Sequence, residues 1–246
     1  MTIVLALAWR PDAATTPLFE QLYPAWQEIY DGISIVTPPE IAPPLVERLT
    51  ALDQVKVMVR QQPRENRRYL TLQHALTFDG VDYVHYCDGD HALNRFERNP
   101  DEWRHGLAAL YDVDCLIIGR SPGVLASYPA ALQETERIIN LVGSHLLGQP
   151  ADFGSGARGF SRAAVDHILT HDSVTSHPIV NDLSWPVMLD RAGFDVHTYE
   201  SDAAYYTIES EAKRAVLEQP EQWQKRVRLA HAIIQAGIEA SSRSYE

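Results

Sequence analysis

The 246-residue sequence is short of cysteine, with two, and short of positive charge, with 21 lysines and arginines against 33 aspartates and glutamates. So few cysteines cannot build a disulfide framework. Cys87 and Cys115, each in or beside an apolar run, are expected to act as small buried hydrophobes. A formal net charge of −12 disfavours sequence-independent nucleic-acid binding, which needs a basic surface to neutralise phosphates. It leaves room for a small phosphorylated ligand held by a metal and a few local arginines. Long apolar runs are also missing. The N-terminal run ends at Arg10, far short of the roughly 20 residues of a spanning helix, and it has no basic n-region or small-residue cleavage site. These features point to a cytoplasmic protein without a transmembrane segment, able at most to rest on a membrane.

What is present is an alternation. Continuous apolar or β-branched runs at 3–9, 33–37, 55–60, 82–87, 114–119 and 195–199 read as strands. Between them lie helical patterns at 17–30, 45–52, 64–77, 100–112, 129–147, 162–170 and 181–192, with a glycine-rich loop and short strand at 152–161. From about 209 the tail reads as helical, with a second Pro-acid-x-Trp start in QPEQW. The class is therefore α/β, a mainly parallel sheet flanked by helices, with one domain over 1–208 and a helical extension over 209–246 packed on it. In such sheets ligands bind beyond the carboxyl ends of the strands. Those ends carry Ala8-Trp9-Arg10, Thr37, Arg60 and Asp88-Gly89-Asp90.

The stretch YVHYCDGDHALNRF, residues 83–96, drives an apolar strand into two carboxylates one residue apart. Asp-Gly-Asp is good turn chemistry, and a turn is one reading. The other is a metal site: Asp88 and Asp90 flank a glycine that permits close backbone approach, and oxygen ligands completed by water suit Mg²⁺ or Mn²⁺. Such an ion bridges a pyrophosphate and offsets the charge of a departing phosphate.

VDYVHYCDGDHAL resembles the strand and DxD motif of GT-A fold glycosyltransferases, in particular those of family 2. RRYLTLQHAL is similar to that family's arginine-bearing helix, which places Arg68 at the arginine. FGSGARGFSRAAVDHIL resembles the glycine-rich segment that shapes the donor-sugar pocket, and NDLSWPVMLDRAGFDV the motif that carries the catalytic base, here Asp182. The four matches stand in order across roughly residues 3–206. The resemblance implies a transferase that uses a UDP- or GDP-linked sugar, with Mn²⁺ or Mg²⁺ on Asp88 and Asp90. It also implies donor contacts from Ala8, Trp9, Arg10, Thr37, Arg68, Asp88, Gly89, Asp90, Gly156 and Arg158, and inverting transfer with Asp182 as base. The acceptor is not indicated. Self-association through the C-terminal helices is a further expectation. The chain departs from the family pattern in four places. The first strand ends Ala8-Trp9-Arg10-Pro11, VTPPE stands where an acidic residue often follows the second strand, and Asn181 replaces the glutamate before the base. Tyr206 falls near the slot of a late metal-binding histidine.

Other readings stand beside these. Asp182 precedes an apolar helix and so could simply cap it, as a retaining transferase acting on a small acid would allow. Arg64, Arg67 and Arg68 could form a solvated helix face. His85 reads as a satisfied strand histidine, while His91, His177 and His197 are candidates for the metal's surroundings. Trp9 and Trp185 could stack on a base or sugar, or fill the core. A dehalogenase-like phosphatase would want Thr or Val at position 92, where Ala stands, and its motif on the first strand. A nucleotidyltransferase would want a glycine-rich phosphate loop after the first strand, and AWRPDAATT has none. A nucleotide-sugar binding protein without catalysis fits the departures from the family pattern.

Overall fold

Strand β1 (Thr2–Ala8) is apolar along nearly its whole length because both of its faces are covered, and residues 3–8 are buried. It is hydrogen-bonded in parallel on one side to β2 (Gly32–Thr37) and on the other to β4 (Val81–Asp88); β3 (Val55–Val59) extends the sheet beyond β2. The computed structural model describes residues 1–177, 180–203, 216 and 218–245. Its seven-stranded sheet has the order β3-β2-β1-β4-β6-β5-β7. Within it β6 (Ala157–Ser161) runs antiparallel to both β4 and β5 (Cys115–Arg120), and β7 (Val196–Ser201) pairs parallel to β5. The sheet is thus mainly parallel, as the alternation predicts.

Helices cover both faces. Their starts follow local chemistry. The side chain of Asn66 accepts from the backbone N–H groups of Arg68 and Tyr69 to begin α3 (Arg67–Ala75). Asn99 caps α5 (Pro100–Ala108), which has proline in its first turn, and Ser161 caps α8 (Arg162–His171). The other helices before the tail are α1 (Thr15–Gln27), α2 (Pro43–Thr50), α4 (Gly89–Arg98), the short α6 (Pro122–Leu125), α7 (Ala130–Leu147) and α9 (Asn181–Arg191). Gly148, at φ 70°, ends α7 in the left-handed conformation. The last helix, α10 (Pro220–Ser241), begins at the proline of QPEQW and packs on α7 and α9. Most of the tail between 204 and 217, Tyr206 included, lies outside the described residues.

Two expectations change. The Asp-Gly-Asp stretch is not a turn: Asp88 is the last residue of β4 and Gly89 opens α4, a helix that the sequence reading did not foresee. Helix α3 starts at Arg67 rather than Arg64, because Asn66 takes the capping position and leaves Arg64 outside. Both cysteines are free and buried, and burial pushes their thiols up to about 12, so they are inert packing groups. Among the described residues no helix is long and apolar enough to cross a membrane.

His85 lies wholly inside the sheet, and Tyr30 and Trp103 fix its state. The Trp103 indole N–H donates to the Tyr30 hydroxyl at 2.7 Å, which leaves the Tyr30 proton for His85 Nδ1, also at 2.7 Å. Burial first, and the Arg95 charge second, bring the ring down from 6.5 to about 3. Below pH 6.5 the unfolded chain therefore binds a proton that the folded chain refuses, and stability falls as pH drops toward 3, by up to about 1.4 kcal/mol per pH unit. Urea unfolding at a series of pH values should show this slope above the range where carboxylates titrate. In His85→Gln it should be shallower; an unchanged slope would show that His85 does not carry it.

Candidate active site

The strand register makes the site. Ala8 of β1 lies beside Val36 of β2 on one side and Asp88 of β4 on the other, so three carboxyl ends finish level. Trp9 continues the pattern, its N–H donating to the Val36 carbonyl at 3.0 Å. Beyond this edge is an open cleft of about 700 Å³. Ala8, Trp9 and Arg10 line it from β1, Val36, Pro38 and Glu40 from β2, Arg60 from β3, Arg67 from α3, and Asp88, Asp90 and His91 from the β4–α4 junction. Trp9 is 5% exposed and stacks on Phe19 at 5.2 Å between centroids. It also explains Gly89, where a Cβ would stand 2.3 Å from the Trp9 side chain.

Asp88 is the most constrained carboxylate of the group. The Tyr86 hydroxyl donates to its Oδ1 at 2.6 Å, and Arg68 Nη2 approaches Oδ2 at 3.3 Å. Arg67 Nη2 stands 3.7 Å from Oδ1. Burial by itself would raise this carboxyl; the charges of Arg68, Arg67 and His91 and the Tyr86 hydrogen bond outweigh it and hold the group down at about 2. Arg68 reaches across to a second carboxylate, donating from Nη1 to Asp182 Oδ1 at the start of α9. Burial lifts the Asp182 carboxyl above the ordinary aspartate range, and the Arg68 and Arg158 guanidiniums oppose that rise.

A smaller cavity of about 180 Å³ lies on the other side of Asp88. Arg67, Arg68, Asp88, His91, Gly156 and Asp182 line its mouth, and residues of α7 and α10 form its walls. Asp88 N–H donates to the Gly156 carbonyl at 2.9 Å. Gly156 has φ +68°, and a Cβ there would meet Asp88 Oδ2 at 2.9 Å, so both its conformation and its neighbour demand glycine.

No protein-family model and no curated protein matches the chain. Solved structures do. The crystal structure of M. tuberculosis glucosyl-3-phosphoglycerate synthase aligns with a TM-score of 0.59 at 14% identity, over 99% of this chain and 81% of that chain. The same synthase in complex with Mn²⁺, uridine-diphosphate and phosphoglyceric acid gives 0.57 at 13% identity, over 99% and 79%. Mannosyl-3-phosphoglycerate synthase from Rubrobacter xylanophilus gives 0.60 at 10% identity, over 97% and 73%. The chain has the GT-A fold. At these identities the likeness is one of backbone, and the chemistry has to come from the side chains described here.

Within the GT-A fold the residues singled out from sequence divide. Ala8, Trp9, Arg10, Asp88 and Asp90 share the large cleft; Arg68, Asp88, Gly156 and Asp182 share the small cavity. Thr37 is buried, its hydroxyl near the Met58 carbonyl, and does not line the cleft although its neighbours Val36 and Pro38 do. Arg158 is 4% exposed and spends its donors on the carbonyls of Phe153, Ala157 and Asp182 and on Ser155 Oγ, so it braces the glycine-rich loop from beneath. Trp185 is core, donating to Asp172. His197 pairs with Asp195 on β7, and neither His197 nor His177 lines either cavity. Arg64 is exposed and outside both.

Several residues were missed. Tyr86 donates to Asp88, Glu40 occupies the cleft wall three residues beyond Thr37, and Arg226 of α10 enters the small cavity; Arg67, already singled out with Arg64 and Arg68, stands against Asp88. Period-two spacing from Asp88 could have flagged Tyr86; Arg226 had no local signal. Among the described residues no three His, Cys, Asp or Glu form a metal-holding group. Asp88 and Asp90 both line the cleft, and carboxylate oxygens suit a hard cation that takes its other ligands from water and phosphate oxygens.

Gly89→Ala tests the packing that shapes the cleft. The added methyl meets the Trp9 side chain at 2.3 Å, close to its backbone attachment. We expect a loss of about 1–3 kcal/mol of stability, as overpacking costs, read by denaturant unfolding. A neutral effect would show that Trp9 moves freely and is not a fixed cleft wall.

Proposed function

We propose that the protein is a cytoplasmic, metal-dependent glycosyltransferase that moves a sugar from a UDP- or GDP-linked donor in the large cleft to an acceptor in the small cavity. The observation that carries this is Asp88, an anionic group on the wall shared by both spaces. The GT-A fold and the fit of Asp88 and Asp90 to a hard cation support the reading. Asp88 and Asp90 would hold Mn²⁺ or Mg²⁺, and that ion supplies charge neutralisation of the diphosphate leaving group. Arg10, Arg60 and Arg67 bring positive charge to the cleft for the same diphosphate. Arg68 fixes the orientation of Asp88, and Trp9 and Glu40 border the nucleoside's space.

On the acceptor side Asp182 takes the hydroxyl proton as the anomeric carbon is attacked, which gives inversion. It lines the small cavity, and its raised affinity for a proton suits a base better than an exposed aspartate would. One observation favours a second reading: Asp182 is already bonded to Arg68, so in a retaining transfer it would serve only to hold that arginine. Self-association through α10 belongs to the same proposal, since its outward face exposes Val227 and Ile238.

Calorimetry with UDP and GDP, with and without Mn²⁺, should show metal-dependent binding that Asp90→Ala removes. Equal binding in all four conditions would exclude the two-carboxylate site. For the mechanism, Asp182→Asn should keep donor affinity and lose roughly 10²–10⁴ in turnover, with inverted product from the wild type. Retained anomeric configuration would assign Asp182 to holding Arg68. Tight nucleotide binding with no turnover of UDP-glucose or GDP-mannose would leave a binding protein.

A further inference from the structure

The small cavity carries information about the acceptor that neither the fold nor the motifs contain. Much of its wall is apolar: Leu132 and Ile139 from α7, Phe153 from the loop before β6, Leu229 and Ile233 from α10. At about 180 Å³ it is near the size of an apolar cavity of about 150 Å³ that accepts benzene. It therefore holds a body of about one ring.

Among the described residues its charged groups are matched against one another: three carboxylates, Asp88, Glu136 and Asp182, face three guanidiniums, Arg67, Arg68 and Arg226. Arg226 Nη2 sits 2.5 Å from Glu136 Oε1, while Glu136 Oε2 accepts from Arg120 at 2.6 Å. Arg68 is shared between Asp182 and Asp88, and Arg67 leans on Asp88. Among the described residues, a phosphate in this space would have to take a guanidinium from a carboxylate. Displacing Arg226 would leave Glu136, 5% exposed, with half of its compensation, and would set a dianion beside it. An apolar body asks for none of this.

We propose that the acceptor is an uncharged compact alcohol with an apolar ring or branched body, seated between α7 and α10 with its hydroxyl toward Asp182, and not a phosphorylated acid. The inference rests on the transferase reading for its hydroxyl end, and on the cavity alone for its body. It separates this chain from the solved synthase whose complex holds phosphoglyceric acid.

The test titrates four probes into the protein, free and with UDP or GDP and Mn²⁺ bound: cyclohexane-1,2-diol, 4-hydroxybenzyl alcohol, glycerate and 3-phosphoglycerate. The two apolar alcohols should bind at least about tenfold more tightly than 3-phosphoglycerate. Leu229→Trp, at a half-buried position on α10, should abolish their binding and leave nucleotide affinity unchanged; Leu132→Trp provides the same block from α7 should the first variant not fold. Glu136→Gln, which frees Arg226, should raise 3-phosphoglycerate affinity by about tenfold. Tighter binding of 3-phosphoglycerate than of both alcohols by the wild type would overturn the inference, as would alcohol binding that survives both tryptophan variants. Failure of the nucleotides to bind, with the alcohols still bound by the free protein and blocked by the tryptophans, would remove the transferase reading and support the cavity's chemistry.

Discussion

The site depends on one buried guanidinium. Arg68 is 4% exposed and stands between Asp88 and Asp182, two carboxylates that would otherwise face each other across a desolvated gap. A buried charge without a partner costs several kcal/mol, so each member holds the others in place. The backbone arrangement serves this triad. Asn66 caps α3 through its Oδ1, which fixes Arg68 at the first turn, and its Nδ2 donates to Asn181 Oδ1 at 2.8 Å. The residue that starts the helix bearing the arginine thus also anchors the start of the helix bearing Asp182. From below, Arg158 donates to the Asp182 carbonyl at 3.1 Å and to the Phe153 carbonyl at 2.7 Å, so the glycine-rich loop joins the same unit.

A second buried network fastens α10 to this unit. Arg120, at the end of β5, donates from Nε to Asp152 and from Nη2 to both Asp152 and Glu136, and Glu136 then receives Arg226 from α10. The two carboxylates respond differently. Burial opposes ionisation of both. In Asp152 the Arg120 bonds, the Asn140 side chain and the Arg120 backbone N–H overcome it and hold the group at about 2. In Glu136, buried deep on α7 with Asp152 nearby, burial wins and the carboxyl is raised. The C-terminal helix is therefore bound to the sheet by charge as well as by its apolar face, and it places Leu229 and Ile233 over the small cavity.

How much of this could be read from sequence follows the range of the interactions. The order of strands and helices from β1 to β7, α4, the short α6 and the antiparallel direction of β6 aside, was visible because hydrophobic runs and proline or asparagine starts are local signals. The placement of Asp88 and Asp90 at a strand's carboxyl end followed from that order. Helix α4 was not visible. Its first residues read as turn chemistry, and what demands glycine at its first position is Trp9, eighty residues earlier, standing where any Cβ would go. The role of Arg158 was also hidden: in sequence it is a cation in a glycine loop, in space its donors are consumed by carbonyls that the loop cannot satisfy alone. Arg226 and Glu136 are ninety residues apart, and no spacing within either helix predicts their pairing.

The two spaces around Asp88 differ in size and in lining. The large cleft borders four strand ends and mixes arginines with carboxylates. The small cavity is bordered by α7, α10 and the loop before β6, and the aliphatic side chains on these elements share it with charges that pair with one another among the described residues. The partition between them is Asp88 with its retinue of Tyr86, Arg67 and Arg68. Because Gly156 lacks a side chain, the Asp88 carboxylate can sit against the loop and present itself to both spaces at once. The strand register that levels Ala8, Val36 and Asp88 is what allows a single carboxylate to hold that position.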